Sequence, residues 1–130
     1  MSVDSIGNFL TIIRNGILAG KPSVVASYSA MRNQIANLLK EKGFVRDALI
    51  VEEGGFKRIK IILKYVGGES AIHEITRISK PGCRMYSGIK SVKPVIGGLG
   101  VTILSTNRGI ITHDNAKALR VGGEVICTVW

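Results

Sequence analysis

The spacing of apolar residues changes near Phe44, and that change constrains the fold more than any other feature of the chain. Ile6, Phe9, Leu10, Ile13 and Ile17 recur at steps of three and four, which places them on one face of an α-helix. Asp4, Asn8, Thr11 and Asn15 fall opposite, with Arg14 on the flank. The pattern predicts a helix over residues 4–19, ended at Gly20-Lys21-Pro22 because proline cannot extend it. A second helix is predicted over 28–42, with Met31, Ile35, Leu38 and Leu39 as its stripe, Ser27 or Ser29 as its cap and Gly43 as its stop. From Phe44 the period shortens to that of strands. Residues 44–52 read as a strand, Glu53-Gly54-Gly55 as a hairpin turn, and 56–65 as an alternating strand. Ile59, Ile61, Leu63 and Tyr65 share one face of it and Lys60 and Lys64 the other, while Ile62 breaks the alternation and predicts a partly covered outer face. A short strand near Val24-Val25 completes a three-stranded sheet.

Gly67-Gly68 reads as a lobe boundary, giving an N-terminal α/β lobe over 1–66 and a C-terminal, mainly β lobe over 67–130. In the second lobe strands are predicted over 71–79, 85–90, 101–105 and 124–130. A short helix is predicted over 112–120, capped at Thr112 or Asp114 and ended at Gly122-Gly123. The fold class expected is therefore α+β in two small lobes: two helices packed on a three-stranded sheet, then strands with one short helix.

With 130 residues, 45% of them hydrophobic, the chain can bury a core. No apolar run approaches the ~20 residues that span a bilayer. The start MSVDSIGNFL lacks the features of a signal peptide, so a cytoplasmic location is expected. Cys83 and Cys127 lie far apart, outside any CxxC pair or histidine cluster. That predicts reduced thiols, Cys127 buried in a strand, and no metal site or cofactor.

Charge narrows the function. Eighteen Lys and Arg against nine Asp and Glu give a net charge of +9, which suggests a polyanionic partner. No acidic residue lies between Glu74 and Asp114, an interval holding Arg77, Lys80, Arg84, Lys90, Lys93 and Arg108. An ordinary solvated surface mixes its signs, so this stretch is expected to face phosphates. A membrane surface would call for a basic amphipathic helix, and neither helix has a continuous basic face.

Enzyme chemistry finds little support. His113-Asp114 sets a histidine beside a carboxylate at a helix start, with no nucleophile or second acid placed to complete a site. His73 alternates with Ile72 and Glu74 and reads as a half-exposed structural residue on a strand. Gly97-Gly98-Leu99-Gly100 precedes a strand instead of opening a helix, which is the wrong context for a phosphate loop.

Two segments are better suited to binding. In Ile78-Ser79-Lys80-Pro81-Gly82-Cys83-Arg84-Met85-Tyr86 a rigid Pro-Gly turn carries two cations, a hydroxyl and an aromatic, a setting for phosphate contact; a solvated hairpin turn is the alternative. In Ser105-Thr106-Asn107-Arg108-Gly109 two hydroxyls, an amide and a guanidinium precede a glycine that lets the backbone approach closely. Such short polar groups suit the wide, shallow minor groove of A-form RNA. The alternative is a strand-to-helix connection whose hydroxyls cap their own backbone. Only seven aromatics are present and no strand pairs them, which disfavours reading single strands by stacking. The helices lack the basic face and spacing of a helix-turn-helix. A basic module for an acidic protein, or a DNA-binding regulator, stays the alternative to duplex RNA.

Longer motifs carry a resemblance. The C-terminal run STNRGIITHDNAKALRVGGEVICTVW resembles the signature of the small ribosomal subunit protein eight family, the S-eight family, and RISKPG, GGLGVTILST and DSIGNFLTIIRNG resemble its other motifs. The likeness runs from residue 4 to 130. It implies a bacterial-type, non-enzymatic constituent of the small ribosomal subunit that binds a helix of the small-subunit rRNA central domain directly and early in assembly, beside neighbouring small-subunit ribosomal proteins. It also implies repression of its own operon mRNA through a mimic of that helix. Carried over residue by residue, the main RNA contact is Ser105, Thr106, Asn107, Gly109, Gly123 and Glu124. Further contacts are Arg14 and Asn15 at the end of the first helix, and Lys80, Pro81, Gly82, Arg84 and Tyr86 in the turn. Lys90 and Arg108 complete the expected set. Cys83 stands where the family usually has the first of two arginines, Asn107-Arg108 where it often has Ser-Lys, and Arg32 near a lysine often found in the second helix.

Overall fold

The computed structural model describes residues 5–79, 84, 86, 87 and 100–130. Its element order is α1 (Ser5–Leu18), β1 (Ser23–Ser27), α2 (Ala30–Glu41), β2 (Val45–Glu53), β3 (Phe56–Leu63), β4 (Tyr65–Val66), β5 (Glu69–Ser70), β6 (Ile75–Arg77), β7 (Tyr86–Ser87), β8 (Val101–Thr106), β9 (Gly109–Thr112), α3 (His113–Leu119) and β10 (Gly123–Val129). The expected α+β class is what the chain adopts. It divides into two compact units, Asn8–Ile72 and Met1–Gly7 with His73–Trp130.

In the first of these units, β1, β3 and β2 lie side by side in that order, all antiparallel. The Gly54-Gly55 turn between β2 and β3 has φ of +60° and +83°, the left-handed pair that a two-residue hairpin needs and glycine supplies without strain. Phe9, Leu10, Ile13, Ile35, Leu39, Ile59 and Ile61 are wholly buried, each burial contributing about 1.5–3 kcal/mol. Helix α1 comes close to the sheet at Gly16, where a methyl group would collide with Val24 Cγ1. Ser29 caps α2 by accepting the Arg32 N–H at 3.1 Å. Two details differ from the sequence expectation. Met31 is 38% exposed instead of joining the stripe. Arg32 is buried, donating from Nη1 to the Ser27 carbonyl and hydroxyl at 3.2 and 3.0 Å and lying over the Phe9 ring; it braces the helix start.

In the other unit the sheet runs β6-β10-β8-β9, and β7 also pairs with β10. Ile103, Leu104, Ile126, Cys127 and Val129 form its centre with Ala116 of α3. Thr112 caps α3, accepting from the Asn115 N–H. Helices α1 and α2 end on left-handed Gly20 and Gly43, whereas α3 ends on Arg120, at φ +56°. The N–H groups of Arg120 and Val121 close that end on the carbonyls of Lys117 and Ala116, so the helix stops before the Gly122-Gly123 expected to stop it. The strand expected over 71–79 shrinks to β6. His73 is off the strand and exposed; its ring stacks on Trp130 with centroids 5.2 Å apart, and its N–H donates to the Trp130 carbonyl at 2.7 Å. The strand expected over 85–90 is described only as β7, and Gly97 to Leu99 lie outside the described residues.

The largest difference concerns residues 105–112. They form a β-hairpin instead of a direct link to a helix: Thr106 pairs with Gly109, Ser105 with Ile110 and Ile103 with Thr112. Asn107 and Arg108 make the turn, and Gly109 has φ +100°. The turn signal is displaced by one position, since glycine follows the two turn residues instead of being one of them, and Ile110-Ile111 is a strand.

Candidate nucleic-acid interface

The pairing of β10 assembles the site. Glu124 lies opposite Ser105 on β8 and Tyr86 on β7, and Gly123 lies opposite Thr106 and Ser87. Neighbouring strands stand about 4.8 Å apart, so three stretches separated by as much as 38 positions along the chain share a strip of sheet about 10 Å wide. Ser105 and Thr106 are half-exposed, and Asn107, Arg108 and Gly109 are exposed at the tip. Tyr86 is 72% exposed, a large aromatic surface left facing solvent.

Local hydrogen bonds set the shape of the tip. Thr106 Oγ1 accepts the Arg108 N–H and donates to the Gly109 carbonyl, both at 3.0 Å. The hydroxyl therefore serves its own backbone, the alternative open from sequence, and in doing so it fixes the turn that presents Asn107 and Arg108. Gly123 is glycine for a packing reason. A Cβ there would collide with the Ser105 carbonyl oxygen, with Ser105 C at 2.9 Å and Thr106 Cγ2 at 3.0 Å. The absence of a side chain lets β10 support the hydroxyl-bearing end of β8 at close range.

Charges are arranged around Glu124. Its Oε2 accepts from Ser79 Oγ at 2.6 Å and from Arg84 Nη1 at 3.0 Å. Partial burial, the largest influence, pushes this carboxyl up, but the bonds from Ser79 and Arg84 and the charges of Arg84 and Arg77 together hold it below its ordinary 4.5. Arg77 turns inward and donates to the Ile126 carbonyl at 3.2 Å. Cys127, opposite Arg77 on β6, has its thiol pushed up to about 12 by burial, which makes it an inert core residue. No group of three or more His, Cys, Asp or Glu among the described residues could hold a metal ion.

Ser105, Thr106, Asn107, Arg108, Gly109, Gly123, Glu124, Arg84 and Tyr86 are thus brought together by one sheet. Arg14 and Asn15 sit near the end of α1 in the other compact unit, half-exposed and exposed. Lys80, Pro81, Gly82 and Lys90 lie outside the described residues, as do Cys83 and Lys93. Ser79 supplies the hydroxyl noted beside the Pro-Gly turn, but the sequence does not show its role as a partner of Glu124. Its partner lies 45 positions away, and only the folded sheet brings them into contact.

Residues 4–130 match the family described as Ribosomal protein S8. The chain is 43% identical over 131 aligned positions to the small ribosomal subunit protein uS8 of Solibacter usitatus, covering all of both chains. It is 46% identical to that of Maricaulis maris, covering 99% of each, and 44% identical to that of Nitrosospira multiformis, covering 97% and 96%.

Proposed function

The chain belongs to the ribosomal protein S8 family, constituents of the small ribosomal subunit, and we propose that it binds a helix of the small-subunit rRNA central domain directly and early in assembly. As a ribosomal constituent its partners are rRNA and other proteins of that subunit. In the proposed complex the Asn107-Arg108 tip enters the shallow minor groove, where Ser105, Thr106 and the adjacent backbone meet 2′-hydroxyls and base edges. Arg84 and Arg108 meet flanking phosphates, and Tyr86 offers a flat apolar face. The same surface serves for repression of the operon mRNA, which needs only a matching helix. The role is one of binding, with no reaction catalysed.

The observation that carries this proposal is the register at Glu124 and Gly123, which gathers the hydroxyls and the tyrosine onto one strip, with Arg84 bonded to Glu124 beside them. Footprinting on small-subunit rRNA tests it. Protection of one helical segment, with affinity falling steeply as salt rises because phosphate contacts release counterions, is the expected result. A flat salt response, or equal affinity for duplex DNA at the same salt, would count against it.

A further inference from the structure

Glu124 places a carboxylate at the centre of a surface proposed to meet phosphates. A carboxylate near phosphates repels them, so its presence calls for a reason. Its side chain is only 17% exposed. One oxygen, Oε2, takes both the 2.6 Å bond from Ser79 Oγ and the 3.0 Å bond from Arg84 Nη1. Ser79 is wholly buried, and its N–H donates to the Val125 carbonyl at 3.1 Å. Glu124 is itself held in a strand paired on both sides. The carboxylate is therefore a fixed anchor. Arg84 is in a different situation. It belongs to no helix or strand and its side chain is 47% exposed. A long, exposed side chain left to itself loses rotamer freedom on binding. A charge-assisted bond to a fixed carboxylate removes that cost in advance.

We infer that Glu124 is a positioning residue of the RNA surface, which holds the Arg84 guanidinium in place through an anchor set by Ser79, so that its effect on RNA affinity passes through Arg84. The inference rests on the proposed RNA-binding function. It also predicts a sign: a carboxylate that only sits near RNA would, once neutralised, leave binding unchanged or tighter, whereas an anchor would weaken it.

The experiment is a double-mutant cycle with the full chain and a helical small-subunit rRNA fragment at several salt concentrations. It uses wild type, Glu124→Gln, Arg84→Ala and the double variant, with thermal unfolding measured in parallel. Glu124→Gln is expected to weaken binding between about 2-fold and 100-fold and to reduce the salt slope by about one, as for a lost phosphate contact. In the Arg84→Ala background the same change is expected to cause no further loss. Ser79→Ala keeps both charged partners and is expected to give a smaller loss that also vanishes without Arg84; it decides the matter if Glu124→Gln fails to fold. Binding by Glu124→Gln as tight as wild type, or equal losses with and without Arg84, would overturn the inference while leaving the RNA-binding function standing. A wild-type chain that does not bind the fragment would overturn both.

Discussion

Gly123→Ala probes the support under the proposed RNA-binding tip. The added methyl would overlap the Ser105 carbonyl oxygen, with Ser105 C at 2.9 Å and Thr106 Cγ2 at 3.0 Å. Two of these three atoms are backbone, so no rotamer change relieves the clash and β8 must separate from β10. The rows at risk are Gly123 with Thr106 and Glu124 with Ser105. Overpacking of this kind costs roughly 1–3 kcal/mol, and loss of one or two strand hydrogen bonds at about 1 kcal/mol each gives the same range. For a chain of this size the midpoint of thermal unfolding should fall by about 4 °C per kcal/mol. Circular dichroism melts give that number, and titration of the rRNA fragment should show weaker binding, because the tip is displaced along with the strand. A variant that melts within a degree of wild type and binds the fragment equally well would refute the close-approach argument.

Other substitutions test neighbouring parts of the account. Thr106→Ala removes the acceptor for the Arg108 N–H and the donor to the Gly109 carbonyl; it is expected to cost about 1–3 kcal/mol of specific RNA affinity in a titration, with Thr106→Ser retaining most of it. Arg120→Gly relieves a left-handed residue at φ +56° and should stabilise the chain by about 1 kcal/mol in denaturant melts. Glu124 is held below its ordinary 4.5, so its stabilising contribution is fully present above the unfolded value and is lost as pH falls through the lower folded value. Melting midpoints measured across the acid range should decline less steeply in Glu124→Gln than in wild type.

Much of the fold is legible in the sequence because its signals are local. The helical stripe of α1, the Ser29 cap and the Gly54-Gly55 hairpin each depend on residues within a few positions, and each appears where expected. Where the expectation fails, distant residues decide. Met31 has the right spacing for the α2 stripe but stays at the surface, while Arg32 beside it is buried because Ser27 and Phe9 receive it. The 105–112 hairpin escapes notice because Asn107-Arg108 is not a standard hairpin pair, and a threonine hydroxyl closes the turn that glycine would otherwise mark. The candidate site divides the same way. Its hydroxyls and cations stand out by residue type. The bond from Ser79 to Glu124 and the close approach at Gly123 depend on strand register, which local sequence does not report.

The central claim is that one strip of sheet, formed by the ends of β8, β10 and β7, meets the RNA. Amide chemical-shift mapping of the full chain on titration with the helical rRNA fragment tests it most directly. The account predicts the largest changes at Ser105 to Gly109, Gly123 and Glu124, and at Arg84, Tyr86 and Ser87. Changes concentrated on the β1-β3-β2 sheet, with residues 105–109 and 123–124 undisturbed, would contradict it.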